Sequence, residues 1–495
     1  MKYRIIGVVS FIMAFALIVL VCYLTKEPED RSVRYHQHLE AEVPEDCGHV
    51  DDTFCTHLPL IEINTPDGVD IPGKAITDEL TGSIIDFEKT PDGKDEIIAT
   101  IEITSKDGTN HHIDDNPDLI SDAVVHVRGN SSRTFEKLGY SVDLVKKDGT
   151  DNDVEFMGMD AHSEWALHGP YLDKTLIRTY MWYNIAGEIM DYSPNVRFCE
   201  LVINGEYMGV YVAMEKITAG ENGARLNLKK NAKDKDFYGY MIKLDSPSET
   251  PYKNINNFST YTGVAEKTIS VVYPKGNRLT PEFAEEIARD FSVFEKSLYS
   301  YDYDSDVYGY ETYIDVDSFV DYFLINELTV NYDAGGRSTF MYRDTSNVYK
   351  MCIWDFNACC GNYIRDVSEK TFFLTERTWF SKLVTDEDFT DKVIDRYYAL
   401  RKNYFSDEYL MNYIDETIEY LGPAIDRNYE KWGHTFGEDF PMLYPKERNL
   451  HSYDEAIEQY KEFIVQRTAW LDENIETLKS FSAESAVKQY TEVSQ

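Results

Sequence analysis

The sequence predicts an α+β protein with a mixed, strand-rich front half and a mainly helical back half. Three observations predict it. Alternating β-branched and aromatic runs divided by Gly/Pro/Asp turns dominate residues 58–275, and apolar residues at helical spacing dominate residues 276–480. One short hairpin near residue 340 interrupts the helical half. Such a division places a cleft between two lobes.

Taken in order, Leu60–Asn64 and Ile97–Thr104 alternate as strands, and Val124–Val145 reads as two more around an Arg-Gly-Asn turn. In Leu172–Met190, the residues Leu176, Ile177, Tyr180, Met181, Asn184 and Ile185 recur near 3.6 spacing, so a helix is expected. Glu200–Met214 is a hairpin around Asn204-Gly205, the strongest short turn signal in the chain. Tyr238–Leu244 and Thr268–Tyr273 read as further strands. From Pro281 onward helices prevail, most clearly at Phe389–Asn403, Leu410–Leu421 and Ala456–Leu478. A polar tail is expected over 481–495.

The N-terminus adds an apolar run at residues 5–24, about as long as a bilayer crossing requires. Lys2 and Arg4 precede it and Glu27, Glu29 and Asp30 follow, so residues 1–4 are expected inside and the rest outside. A cleaved signal peptide would have a shorter apolar core ending in small residues, whereas Ala14 and Ala16 lie within the run. The expectation is therefore a single-pass signal anchor, an acidic stalk over 25–57, and a folded domain over 58–480 outside the cell membrane.

The 495 residues carry a net charge of −39, which repels a phosphate backbone and excludes general nucleic-acid binding. Any nucleotide must meet a local basic patch. Thirty-seven Tyr and 25 Phe supply ample core material. Of seven cysteines, Cys47 and Cys55 bracket a short polar loop that a disulfide could close. Cys359-Cys360 lacks the spacing of a metal site, so packing is expected there.

The segment 317–361 concentrates the chemistry. Phe319, Val320, Phe323, Leu324 and Leu328 mark an amphipathic helix, broken by Asn331-Tyr-Asp-Ala-Gly-Gly336. Ser338–Arg343 and Val348–Ile353 then form a hairpin across Asp344-Thr-Ser-Asn347. A hairpin brings its free ends together, so Asp333 is expected beside Asp355. Two carboxylates so held suit a hard cation and a hydroxyl-bearing substrate. An Asx-turn would explain Asp333 equally well, and a salt bridge to Arg337 or Arg343 would explain Asp355. Upstream, Arg128, Arg133 and Lys137 flank the Gly129-Asn-Ser-Ser132 turn, where amides and cations could hold an anion.

These motifs resemble the spore-coat protein H (CotH) kinase family of atypical protein kinases. Asn331-Tyr-Asp333, Trp354-Asp-Phe-Asn357 and Cys360-Gly361 resemble its core. Arg128-Gly-Asn-Ser-Ser132 with Lys137 and Tyr140, Asp173-Lys-Thr-Leu-Ile-Arg178, and Asn204-Gly-Glu-Tyr-Met-Gly-Val-Tyr-Val-Ala-Met-Glu215 resemble its spaced upstream motifs. The likeness spans roughly Leu58 to Glu473. It implies a two-lobed kinase-like fold that uses ATP and Mg²⁺ or Mn²⁺ to phosphorylate Ser or Thr hydroxyls of a protein substrate. Asp333 is then the catalytic residue and Asp355 a metal ligand, with Asn357 supporting either the metal or the turn. Arg128, Asn130 and Lys137 contact the nucleotide, with Glu215 pairing to Lys137 and with Lys216 and Lys243 as competitors. Tyr349 or Trp354 could stack on adenine or simply pack in the core. Two positions depart from the family: Asn357 replaces a carboxylate, and Leu138 a second lysine. A non-catalytic surface scaffold, or phosphoryl transfer to a glycan or small metabolite, are the alternatives.

Overall fold

The computed structural model describes residues 34–44, 54–220, 226, 228, 239–263, 267–344, 346–363, 367–440 and 443–485. Residues 37–495 form one compact unit, and only 34–36 are described of the segment before it.

Seven strands close into a barrel. In chain order the strands are β1 Leu60–Asn64, β2 Ala75–Thr77, β3 Ile84–Phe87, β4 Ile97–Thr104, β5 Leu119–Arg128, β6 Gly139–Val145, β7 Val154–Phe156, β8 Met159–His162, β9 Glu164–His168, β10 Val196–Ile203 and β11 Glu206–Glu215. The barrel runs β1-β10-β11-β9-β6-β5-β4, while β2-β3 and β7-β8 are separate ribbons. Only β1 and β10 pair in parallel within it, Leu60 opposite Glu200. Inward positions alternate as pleating requires, and Ile61, Ile63, Ile101, Val125, Val127, Val142, Leu144, Trp165, Leu167 and Leu201 fill the interior.

A second sheet follows: β12 Tyr240–Asp245, β13 Thr268–Tyr273, β14 Thr339–Arg343 and β15 Tyr349–Cys352, in the order β13-β12-β14-β15, all antiparallel. Its β12–β14 pairing joins strands from either side of the 275/276 division expected between the halves. The chain is thus mixed α+β with a closed barrel, and the hairpin of the back half completes a sheet begun in the front half. A two-lobed kinase-like arrangement is not established by this topology.

Seven helices of ten or more residues occur among the described residues: α1 Arg178–Ile189, α2 Pro281–Leu298, α3 Val316–Thr329, α4 Glu387–Leu400, α5 Asp407–Leu421, α6 Pro423–Trp432 and α7 Tyr453–Asn474. Helices α1 and α3 are buried on nearly every face, at the centre of the largest apolar cluster. Sharp caps define several starts: the side chains of Asp315, Ser406 and Ser452 accept from Ser318, Tyr409 and Glu455 N–H groups. A buried ion pair, Arg467 Nη2 to Glu327 Oε1 at 2.8 Å, ties α7 to α3.

Two expectations about the N-terminus are corrected. The apolar run at 5–24 and Cys47 lie outside the described residues, and among the described residues no helix is long and apolar enough to cross a membrane. The longest, α7, runs 22 residues but carries Asp454, Glu455, Lys461 and Asp472. A single-pass localisation at the cell membrane is therefore not supported. Part of the expected stalk is also integral to the fold. The Gln37 side-chain amide donates from Nε2 to Phe198 O (3.2 Å) and accepts at Oε1 from Phe198 N–H (2.7 Å), which ties this segment to β10.

Candidate active site

The site forms where α3 ends and the second sheet opens. Helix α3 stops at Val330, which adopts left-handed φ of 45°, and Asn331 N–H turns back to Asn326 O at 3.0 Å. The following turn closes on Asp333, whose carbonyl accepts from Gly336 (3.1 Å) and Arg337 (2.7 Å) N–H groups. Gly335 is needed there: its φ is +70°, and a Cβ would fall 2.7 Å from Arg377 Cβ. Thr339 Oγ1 accepts from Gly335 N–H, and Thr378 Oγ1 donates to Gly335 O.

Strands β14 and β15 run antiparallel with Phe340 opposite Cys352, so Ser338 and Asp355 emerge at the same end. Ser338 Oγ lies 3.4 Å from Asp355 Oδ2. Asp355 has φ of 62° and Ser338 of 43°, left-handed values that side-chain-bearing residues rarely adopt. Val330 at the end of α3 and Cys360 (50°) share this backbone conformation. Strain of this kind persists where packing over-determines it, and it concentrates at working sites. Here the packing is visible. Asp355 N–H donates to Tyr183 Oη at 3.1 Å, and Arg178 donates to Cys359 O and Cys360 O. Arg178 is itself fixed by Asp173 Oδ1 at 2.5 Å, both side chains 1% exposed. Helix α1 thereby fixes the loop that carries Asp355 and Asn357.

Asp355 and Asp333 are brought together. Burial, then the Asp333 charge, push the Asp355 carboxyl up to about 6, while Arg128 and the Ser338 hydrogen bond act to lower it. Asp245, at the end of β12, also raises it. Arg128, at the end of β5, lies over the Trp354 ring with its guanidinium 5.3 Å from the centroid. Burial lowers the Arg128 pKa, against the raising influence of Tyr183 and Asp355. His168 on β9 is held neutral, its pKa lowered to about 4 by burial and by Arg128, and its Nε2 is buried without a hydrogen-bond partner.

The other expected residues fall elsewhere or stand alone. Lys137 is 1% exposed, and its ammonium donates to Val210 O and Asn428 Oδ1, each at 2.7 Å. Burial pulls its pKa well below the ordinary lysine value. No ion pair joins it to Glu215, which accepts from Asn195 N–H (2.8 Å) and Nδ2 (3.3 Å). Asn130 is exposed in its turn, and Arg133 is tied to Gly73 O and the Phe87 ring. Asn357 is half-buried, its carbonyl accepting from Asn362 Nδ2 at 2.7 Å. Tyr349 is a core residue, 1% exposed, bonded to Tyr240 Oη, whereas Trp354 borders the cleft. Arg343 is paired with Asp290 and not with Asp355. Sequence reasoning missed Asp245, Ser338 and Tyr183. A signal for the first existed: two charges two residues apart, Lys243 and Asp245, at the end of an otherwise apolar strand.

Among the described residues, no group of three or more His, Cys, Asp or Glu side chains could hold a metal on its own. Two coupled carboxylates still fit a divalent cation whose remaining ligands are phosphate and water. A raised carboxyl beside a second carboxylate is the electrostatic deficit that such a cation would relieve.

By fold and site, this is an α+β protein with left-handed Ser338 and Asp355 at the open end of a hairpin and the Arg128 charge acting on Asp355. The chain belongs to the CotH kinase protein family, whose model matches residues 125–471. It is also similar to the inner spore coat protein H of Bacillus subtilis (strain 168), 21% identical over 361 residues that cover 72% of this chain and 88% of that relative.

Proposed function

We propose that this chain is an ATP-dependent protein kinase that transfers the γ-phosphate to Ser or Thr hydroxyls. The observation that carries the reading is the pairing of Asp333 and Asp355, close enough for one charge to raise the other's pKa, with Arg128 facing them. Membership of a family described as CotH kinase protein supports it.

Each residue has a role set by its place. Asp355 would hold Mg²⁺ or Mn²⁺, with Asn357 able to add a neutral oxygen. When bound, the cation supplies neutralisation of the phosphate oxygens. Asp333, on the loop after α3, orients the acceptor hydroxyl and takes its proton. Arg128 attracts the polyphosphate into a cleft that the protein's net charge of −39 would otherwise disfavour. Trp354 offers an apolar wall under Arg128.

A non-catalytic, nucleotide-binding scaffold is the second reading. Asn357 in place of a carboxylate favours it. Transfer of labelled γ-phosphate from ATP with Mg²⁺ or Mn²⁺ decides between them. Asp333→Asn is expected to keep Mg·ATP binding and lose transfer by about a hundredfold or more, the scale of lost general-base catalysis. Undiminished transfer in that variant would remove Asp333 from the mechanism. Nucleotide binding without transfer by the unaltered chain to any acceptor would favour the scaffold.

A further inference from the structure

The cleft needs a second cation for a polyphosphate, and Lys137 cannot supply it, because its ammonium is buried and bonded to Val210 O in the barrel wall and to Asn428 on α6. Strand β12 offers another. Lys243 and Asp245 stand two residues apart, so their side chains leave the same face of the sheet. Lys243 is directly opposite Phe340 on β14, and Phe340 directly opposite Cys352 on β15, so these share that face. The face leads into the cleft. Phe340 meets the Trp354 ring edge-on at 5.6 Å, and Arg128 lies over that same ring. Asp245 is near enough for its charge to act on Asp355.

Three of the neighbouring cations are engaged elsewhere. Lys216 donates to Ser141 and Asp143 on β6, Lys350 to Asp191, and Arg343 to Asp290. Lys243 keeps a 32% exposed side chain, and its ion pair among the described residues is a long one, 3.3 Å to Asp245. A half-exposed pair of this kind is weak, and a polyphosphate can displace its carboxylate.

We propose that Lys243 is the nucleotide-phosphate lysine of this cleft, gripping the polyphosphate from the sheet while Arg128 does so from the barrel rim, above a floor of Phe340 and Trp354. The proposal rests on the phosphotransferase reading and names the residue that binds its donor. In the absence of nucleotide Asp245 holds the ammonium in place; on binding, the ammonium transfers its hydrogen bonds to phosphate oxygens. Lys137 is then a structural group that joins the barrel to α6 through Asn428.

Equilibrium titration of the full chain with ATP and Mg²⁺, and separately with adenosine, tests this. Lys243→Gln should weaken ATP binding about ten- to a hundredfold, the loss of one charge-assisted contact, and leave adenosine binding unchanged. Lys243→Arg should restore most of the affinity, and Lys216→Gln should leave it unaltered. Unchanged ATP affinity in Lys243→Gln, with the unaltered chain still binding Mg·ATP, would overturn the assignment and leave the phosphotransferase reading standing. Equal weakening of ATP and adenosine would show a structural role and overturn it too. Failure of the unaltered chain to bind Mg·ATP would overturn both.

Discussion

Asp173 and Asp355 each lie beside an arginine, and the contrast between them sets a saturated buried charge against an under-satisfied one. Asp173 is saturated. It accepts from Arg178 Nη1, from Thr175 N–H and Oγ1, and from Arg178 N–H, while Arg178 continues to Cys359, Cys360 and Gln459. Asp355 has one long hydrogen bond from Ser338, and burial, then the charges of Asp333 and Asp245, raise its pKa to about 6. The first pair closes a packed interior, and the second leaves a charge deficit at a cleft. Burying a charge is costly unless it is paired, so an under-satisfied buried carboxylate is a candidate for a ligand.

The largest effect that would break this contrast lies at the saturated pair. Arg178→Ala leaves Asp173 buried without its counter-ion and frees two carbonyls of the Asp355 loop. It should cost about 3–5 kcal/mol in denaturant unfolding. A cost below about 1 kcal/mol would show that the pair is not structural. Next comes Asn428→Ala, which removes an acceptor from the Lys137 ammonium and from Val210 N–H. It should cost about 1–3 kcal/mol and leave nucleotide affinity unchanged. Loss of nucleotide binding in this variant, with the fold intact, would return Lys137 to the site.

The smallest effect has the opposite sign. Asp355 has a folded pKa raised to about 6 from an ordinary value of 3.8, so the folded state holds the proton more tightly. Its contribution to stability is present below about 4, falls as pH rises from about 4 to 6, and stays lost above that. Asp355→Asn carries no such penalty. The metal-free variant should therefore be more stable than the unaltered chain by about 1 kcal/mol at pH 7, a figure reduced for solvent in the cleft, and equal to it near pH 4. Thermal unfolding across that range checks it, and equal stability at both pH values would mean that Asp355 is relieved by groups already present.

Much of this arrangement was legible in the sequence because it is local. Alternation marked Ile97–Thr104, the Asn204-Gly205 turn marked its hairpin, and the hairpin logic at residues 339–352 brought Ser338 and Asp355 to one end. What was not legible depends on long-range pairing. Closure of the barrel needs the parallel match of Leu60–Ile63 with Glu200–Ile203, about 140 residues apart, which no local pattern encodes. The sheet that completes the site needs β12 to cross the expected boundary between halves. Lys137 illustrates the same limit. Its spacing after Arg128 suggested a phosphate contact, but its ammonium turns inward to Val210 O on β11 and Asn428 Oδ1 on α6. Asp245 carried a local signal beside Lys243, but its nearness to Asp355 depends on neighbours from other strands.

The most direct test is calorimetric titration of ATP with Mg²⁺ into the unaltered chain and into Asp355→Asn, at pH 7. The unaltered chain should bind Mg·ATP, and the folded, slightly stabilised variant should lose the metal-dependent part of that binding. Equal Mg-dependent affinity in the two proteins would contradict the account, because the deficit at Asp355 would then serve no cation.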